Sequence, residues 1–209
     1  MGKINQGILG GVSGTVGTVI GSTWKGVSYI RAKAKSFNDA NTDAQKSTRK
    51  TFRKLIKLAS SLLTTVIRPI WSKKGVKKTA GNLFVSRNFY NVDPLLPLAD
   101  NPKLVFSEGQ LPLPENLAVQ RNVAVPRGVT ISWTDNSDSF MASSDDLLRI
   151  VAIAGETAIS VSSAGATRTA ENAEIVLPFA EGQTVRIFVF FEDALQHIYS
   201  NDVNFTVEI

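Results

Sequence analysis

Apolar and polar positions follow three successive rhythms along the 209-residue chain. Between Val16 and Lys35 the residues favour strands, with Thr-Val-Ile-Gly-Ser-Thr-Trp and Val-Ser-Tyr-Ile-Arg-Ala-Lys flanking Lys25-Gly26. Glycine supplies the positive φ of a tight turn, so this segment predicts a β-hairpin. On its second strand Tyr29, Arg31, Lys33 and Lys35 share one face, and Ile30, Ala32 and Ala34 the other. A lone hairpin is marginally stable in water, so it is expected to dock on its own helix or on a neighbouring subunit. Over residues 42–68 the period becomes helical: Phe52, Leu55, Ile56, Ala59, Leu62, Leu63, Val66 and Ile67 recur at three- and four-residue intervals. Thr42 and Gln45 have capping-box spacing, Asp43 suits the N-terminal dipole, and Pro69 ends or kinks the helix at Arg68. Residues 80–92 predict a second, short helix burying Leu83, Phe84 and Phe89.

The third rhythm starts after a proline-bearing stretch. Residues 93–114 contain Pro94, Pro97, Pro102, Pro112 and Pro114 with few periodic apolar positions, which predicts a linker and a domain boundary. Seven strand candidates follow, at 116–121, 129–133, 147–154, 158–163, 174–177, 185–192 and 204–208, separated by turn residues. Val129, Ile131 and Trp133 alternate inward, as do Val185, Ile187, Val189 and Phe191. The expected fold class is α+β: an N-terminal Gly-rich β-hairpin and amphipathic basic helix (1–92), a Pro-rich linker (93–114), and a seven-stranded immunoglobulin-like β-sandwich (115–209).

Charge changes this picture more than composition does. The formal net charge is +5, but residues 1–90 hold 17 Lys and Arg against two acids, Asp39 and Asp43, for a net +15. Residues 91–209 hold six basic residues against 16 acids, for a net −10. Such asymmetry points to contact with a polyanion, or to complementarity between the halves or between alternating copies of the chain. Cations accumulate at Lys25, Arg31, Lys33 and Lys35 of the hairpin, at Lys46, Arg49, Lys50, Arg53, Lys54 and Lys57 of the helix, and at Lys73, Lys74, Lys77 and Lys78 beyond it. These are the candidate nucleic-acid contacts, with Trp24, Tyr29 and Trp71 as candidate stacking platforms for single strands. Nothing resembles a helix-turn-helix or a finger, so binding would be sequence-independent and strongly salt-dependent.

Candidate chemistry is sparse. The absence of cysteine excludes disulfides, Cys-based zinc sites and thiol nucleophiles, and the single histidine, His197, excludes a multi-histidine metal site. His197 is expected in a solvent-facing loop before the last strand. Asp145-Asp146 and Glu192-Asp193 are expected as strand-end acids that discourage edge pairing, because no loop supplies the spaced oxygen ligands of a calcium site. Gly21 and Gly26 have the spacing of a phosphate-binding loop, but Val27 stands where lysine is needed. The glycines Gly7, Gly10, Gly11, Gly14 and Gly17, with Trp24, are instead candidate subunit contacts. No secretory apolar core precedes Ile20, Gln6 breaks a myristoylation pattern, and no run of about 18 apolar residues occurs. The chain is expected to be cytoplasmic at synthesis, with no cofactor, no catalytic residue and no small-molecule substrate.

Two resemblances add to this. Pro114-Glu-Asn-Leu, Ile131-Ser-Trp133 and the long strand 185–192 resemble a fibronectin type III domain, although Ile187, Phe188 and Phe190 replace the usual tyrosine. The N-terminal motif Met1-Gly-Lys-Ile-Asn-Gln-Gly-Ile-Leu-Gly-Gly, Ser13-Gly-Thr-Val-Gly, Trp24-Lys-Gly and Tyr29-Ile-Arg31 resembles an uncharacterised family found mainly in Bacteroidota and their phages. That likeness extends through Gly75 and Trp133-Thr-Asp-Asn-Ser, and it implies architecture but no catalytic residues. The expected function is therefore a non-enzymatic structural subunit of a larger homo-oligomeric or multi-protein assembly, of the virion (capsid) kind. The alternatives are a sequence-independent nucleic-acid-binding protein and a cell-surface adhesion module.

Overall fold

The computed structural model describes residues 3–4, 11–24, 26–36, 39–74, 78–161, 163 and 165–209. The chain forms two compact units, residues 1–42 and 43–209. In the first, β1 (Lys3–Ile4), β2 (Val12–Val16), β3 (Val19–Trp24) and β4 (Val27–Ala32) form an antiparallel sheet in chain order. The expected hairpin strands are β3 and β4, which pair from Val19↔Ala32 to Trp24↔Val27. They belong to a larger sheet, because Gly17 at φ +55 turns β2 directly into β3. At Gly21 a Cβ would collide with the Val12 carbonyl, so only glycine permits this approach of β3 to β2. Gly21 is the one buried residue among those described in this unit, and all six residues of β4 are exposed.

The second unit has three layers. Its helical layer begins with α1 (Asp43–Ser61), which gives way to a wide π-helical turn at Leu63–Ile67 rather than running as one α-helix to Arg68. There the Val66 and Ile67 N–H groups both donate to the Leu62 carbonyl at 3.0 Å. The widened turn absorbs Pro69, whose ring would clash with the carbonyl four residues back in a regular helix, and α2 (Arg68–Trp71) continues beyond it. In α3 (Ala80–Asn88) the N-cap Thr79 accepts a hydrogen bond from the Asn82 N–H.

The strands are β5 (Glu115–Asn122), β6 (Gly128–Thr134), β7 (Leu147–Ala154), β8 (Thr157–Val161), β9 (Asn172–Val176), β10 (Thr184–Asp193), β11 (Ile198–Tyr199) and β12 (Val203–Glu208). Among the described residues the count is eight, the addition to the expected set being the two-residue β11. One sheet runs β5-β6-β9, and the other runs β11-β10-β7-β8 with β12 also paired to β10. Between them Val129, Ile131 and Trp133 face Val185, Ile187, Val189 and Phe191, as the alternation predicts. The opposite face of the larger sheet is buried too: Val151, Ile153, Phe188 and Phe190 pack with Leu55, Leu62, Ile67 and Phe84 of the helical layer. A sheet covered on both sides needs apolar residues at every position, which is why Val185–Phe191 reads as an almost unbroken apolar run.

Residues 93–114 are not a linker. Leu98, Leu104, Phe106 and Leu111 are buried, and the backbone here is held partly by side chains and partly by single backbone bonds such as Leu111 N–H to the Tyr199 carbonyl. The Asn88 amide donates to the Val105 carbonyl and accepts from the Val105 N–H, both at 2.8 Å, so one side chain replaces a ladder step. Asn101 does the same between Pro97 and Asp93. The compact unit therefore starts at Asp43, and the basic helix belongs to the same body as the sandwich.

Asp202 closes this segment, accepting from the Phe106 N–H at 3.1 Å. Burial pushes its carboxyl up to about 6, against the lowering effect of its backbone hydrogen bonds. A carboxyl raised in the folded state binds more protons than in the unfolded one, so its contribution to stability falls as pH rises from about 4 to 6. Asp202→Asn keeps an acceptor for Phe106 and is expected to remove that decline, leaving the variant about 1–3 kcal/mol more stable than the parent at pH 7. Thermal melts of both chains across this range check it.

Candidate functional site

The sequence-predicted cations differ in their surroundings within each unit. On α1, Lys46, Arg49, Lys50, Arg53 and Lys57 are exposed and recur at helical spacing, and Lys46 lies 3.3 Å from Asp43. Lys54 leaves this set: its side chain is only 14% exposed, and the ammonium donates to the Leu96 carbonyl and to Glu156 at 2.6 and 2.7 Å. Lys73 and Lys74 reach back to the Gln196 and Glu108 carbonyls. Burial holds the Lys74 ammonium below the usual lysine range, with the Glu108 carboxylate opposing that shift. Lys78 is exposed. Arg31, Lys33 and Lys35 are exposed in the N-terminal unit, where the Lys33 N–H donates to the Thr18 carbonyl. Lys25, Lys77, Gly7 and Gly10 lie outside the described residues.

The stacking candidates divide as well. Trp24 and Tyr29 are exposed, but Trp71 is a core residue: it is 4% exposed and its Nε1–H donates to the Phe106 carbonyl at 2.9 Å. Gly14 and Gly17 have roles inside their own sheet, where Gly17 turns the chain and Gly14 pairs with Gly21, and Gly11 lies close against Ser28 of β4.

The paired acids are structural. Asp146 is buried against Arg168, with 2.9 Å from its Oδ2 to both Nε and Nη2. Glu192 is also buried, held by Arg149 at 2.5 Å and by the Tyr199 hydroxyl at 2.7 Å. Burial first and this bond second push the Tyr199 phenol far above its ordinary range. Asp193 accepts from the Leu195 and Gln196 N–H groups and closes a turn. His197 is exposed, its Nδ1 3.7 Å from Glu192.

What sequence reasoning missed is an apolar groove between α1 and α3, of about 510 Å³, lined by Phe52, Asn82, Val85, Ser86, Phe89 and Tyr90. Its signal was already present, since Phe52 belongs to the apolar stripe of α1 and remains exposed. Across the described residues, no helix is long and apolar enough to cross a membrane.

Residues 11–203 match the model of DUF6266, a family of unknown function. The chain belongs to this family. The DUF6266 match spans both compact units, so sheet, helical layer and sandwich are all parts of the family's architecture. Among solved structures, this DUF6266 chain is similar to the fibronectin type III domain of the human collagen alpha-1(XX) chain, at 18% identity and a TM-score of 0.33. That match covers 49% of this chain and 87% of the other. A comparison with curated proteins finds no match.

Proposed function

We propose that this DUF6266 chain is a non-enzymatic structural subunit of a larger assembly, in which the N-terminal sheet and the helical layer make contacts between subunits. The observation that carries this reading is the sheet of the first unit. Four strands are ordered into a ladder, yet Gly21 alone is buried among the described residues, and the edge strand β4 is exposed along its whole length. Ordering a residue costs about 1–2 kcal/mol of backbone entropy, which a sheet offsets by burying an apolar face. Val16, Val19 and Ile30 share one such face by register and remain exposed. A further subunit supplies the cover. Placement in a phage or phage-derived virion rests on the motif likeness of residues 1–31.

A second reading, sequence-independent nucleic-acid binding, is favoured by the five exposed cations of α1. Size-exclusion chromatography with light scattering, reading the ratio of nucleic-acid to protein absorbance at low and high salt, separates the two. The expected result is a large species, free of nucleic acid, that persists at high salt. A small species that sheds nucleic acid as salt rises would replace the first reading with the second, and reversing Arg49, Lys50 and Arg53 would then abolish binding.

A further inference from the structure

The groove between α1 and α3 has an apolar wall and a cationic rim. Phe52 is 52% exposed and Tyr90 is 92% exposed at its mouth, large aromatic surfaces left open beside a cavity. Arg49 stands one helical turn before the groove residue Phe52 and Arg53 directly after it, both exposed on α1. The like charges Arg53 and Lys57, at i,i+4 along this helix, cost a few tenths of a kcal/mol, and an acidic partner relieves that cost. A phosphate backbone would satisfy the cations and leave the aromatic wall wet. An acidic protein element with an apolar tip satisfies both.

The same chain carries such an element elsewhere. The loop between β6 and β7 displays Phe140 at 89% exposure, with Met141 beside it and the exposed acids Asp138 and Asp145 on either side. Its base is fixed: the Asn136 amide donates to the Leu113 carbonyl at 2.9 Å, and Asp146 is locked to buried Arg168. Inside it the Ser139 N–H donates to the Asn136 carbonyl and the Ala142 N–H to the Ser139 carbonyl, while Met141 holds φ +68. A rigid loop presenting one aromatic side chain loses little entropy on docking, which is the physical profile of an interface anchor.

We infer that the Phe140 loop of one copy inserts into the α1–α3 groove of a second copy, pairing Asp138 and Asp145 with the α1 cations. Groove and loop are different patches of one chain, so the contact is head-to-tail and propagates from copy to copy, closing into a ring or extending as a filament. This rests on the assembly reading and names one of its contacts.

The chain has no cysteine, so single cysteines report the contact cleanly. Full-length Ser139→Cys and Ser86→Cys chains, one marking the loop and one the groove, are mixed under mild oxidation, with Glu174→Cys on β9 as the control partner. The expected result is a Ser139→Cys/Ser86→Cys heterodimer at least about tenfold more abundant than with the control, lost when Phe140→Asp or Phe52→Asp is added. Restoration when Arg53→Asp is combined with Asp138→Arg on the facing copies also supports the contact. All seven substituted positions are exposed, and melting curves confirm that the variants fold. Light scattering on the same samples keeps the two proposals apart. A large assembly without the specific cross-link overturns this contact and leaves the assembly reading standing. A monomer at every concentration overturns both, and a nucleic-acid-bound species with no cross-link, dispersed by salt, assigns the cations to phosphate instead.

Discussion

Arg168→Ala is expected to destabilise the fold by about 3–5 kcal/mol, seen as a lowered urea midpoint with little change in slope. The guanidinium is completely buried and every edge of it is used. Nε and Nη2 bond Asp146, Nη1 donates to Asn136, Nη2 donates to the Pro112 carbonyl at 3.0 Å, and the flat face lies 4.9 Å from the centre of the Phe191 ring. Truncation leaves Asp146, whose side chain is 1% exposed, as an uncompensated buried charge. Its Oδ1 has no hydrogen-bond partner even in the intact fold, and the neutral Ser143 N–H that donates to Oδ2 at 2.9 Å does not replace a guanidinium. The cost belongs to the orphaned carboxylate rather than to the pair, because desolvating two charges nearly cancels their attraction. Arg168→Met combined with Asp146→Leu is therefore expected to be more stable than Arg168→Ala alone. The double substitution also frees the base of the Phe140 loop, so it separates folding stability from loop order.

The limits of sequence reading follow the same physics. Period-2 alternation placed the long strands of the sandwich because each buries one face against the other sheet, a property local to the strand. Asp146 and Glu192 stand at strand ends as expected, but their burial, like that of Trp71, was not legible because burial of a polar atom depends on a partner far along the chain. Asp146 needs Arg168, 22 residues away, and the Trp71 indole needs the Phe106 carbonyl, 35 residues away. Residues 93–114 looked like a linker because prolines and the lack of a period mark irregular backbone. Irregular backbone is nonetheless ordered when Asn88 and Asn101 supply its hydrogen bonds, and no spacing rule encodes that. The three-layer arrangement was legible after all in Val185–Phe191, since Phe188 and Phe190 occupy positions that a one-sided sheet would make polar. The groove was half legible: Phe52 belongs to the apolar stripe of α1, but only the crossing of α3 decides that it stays uncovered.

That layering carries the other large effect. Phe106→Ala is expected to cost about 3–5 kcal/mol, and Phe106→Leu far less. Phe106 is completely buried, its ring centre 5.6 Å from Phe84 of α3 and 4.8 Å edge-on from Phe188 of β10, so it is the wedge between helical layer and sheet. Its backbone is tied on both sides, the carbonyl accepting from Trp71 and the N–H donating to Asp202. With those bonds in place the segment cannot collapse onto the space a missing ring leaves, and an uncollapsed cavity sits at the expensive end of the range. Helices and strands share this core, so both are expected to melt in one transition, shifted equally in the variant whether followed by circular dichroism or by tryptophan fluorescence. Were the basic helix a separate arm, as its charge suggests, Phe106→Ala would lower the helix transition and leave the sandwich where it was. Coincident shifts would establish that the cationic surface of α1 is presented by the same rigid body that presents the acidic Phe140 loop, which a head-to-tail contact between copies requires.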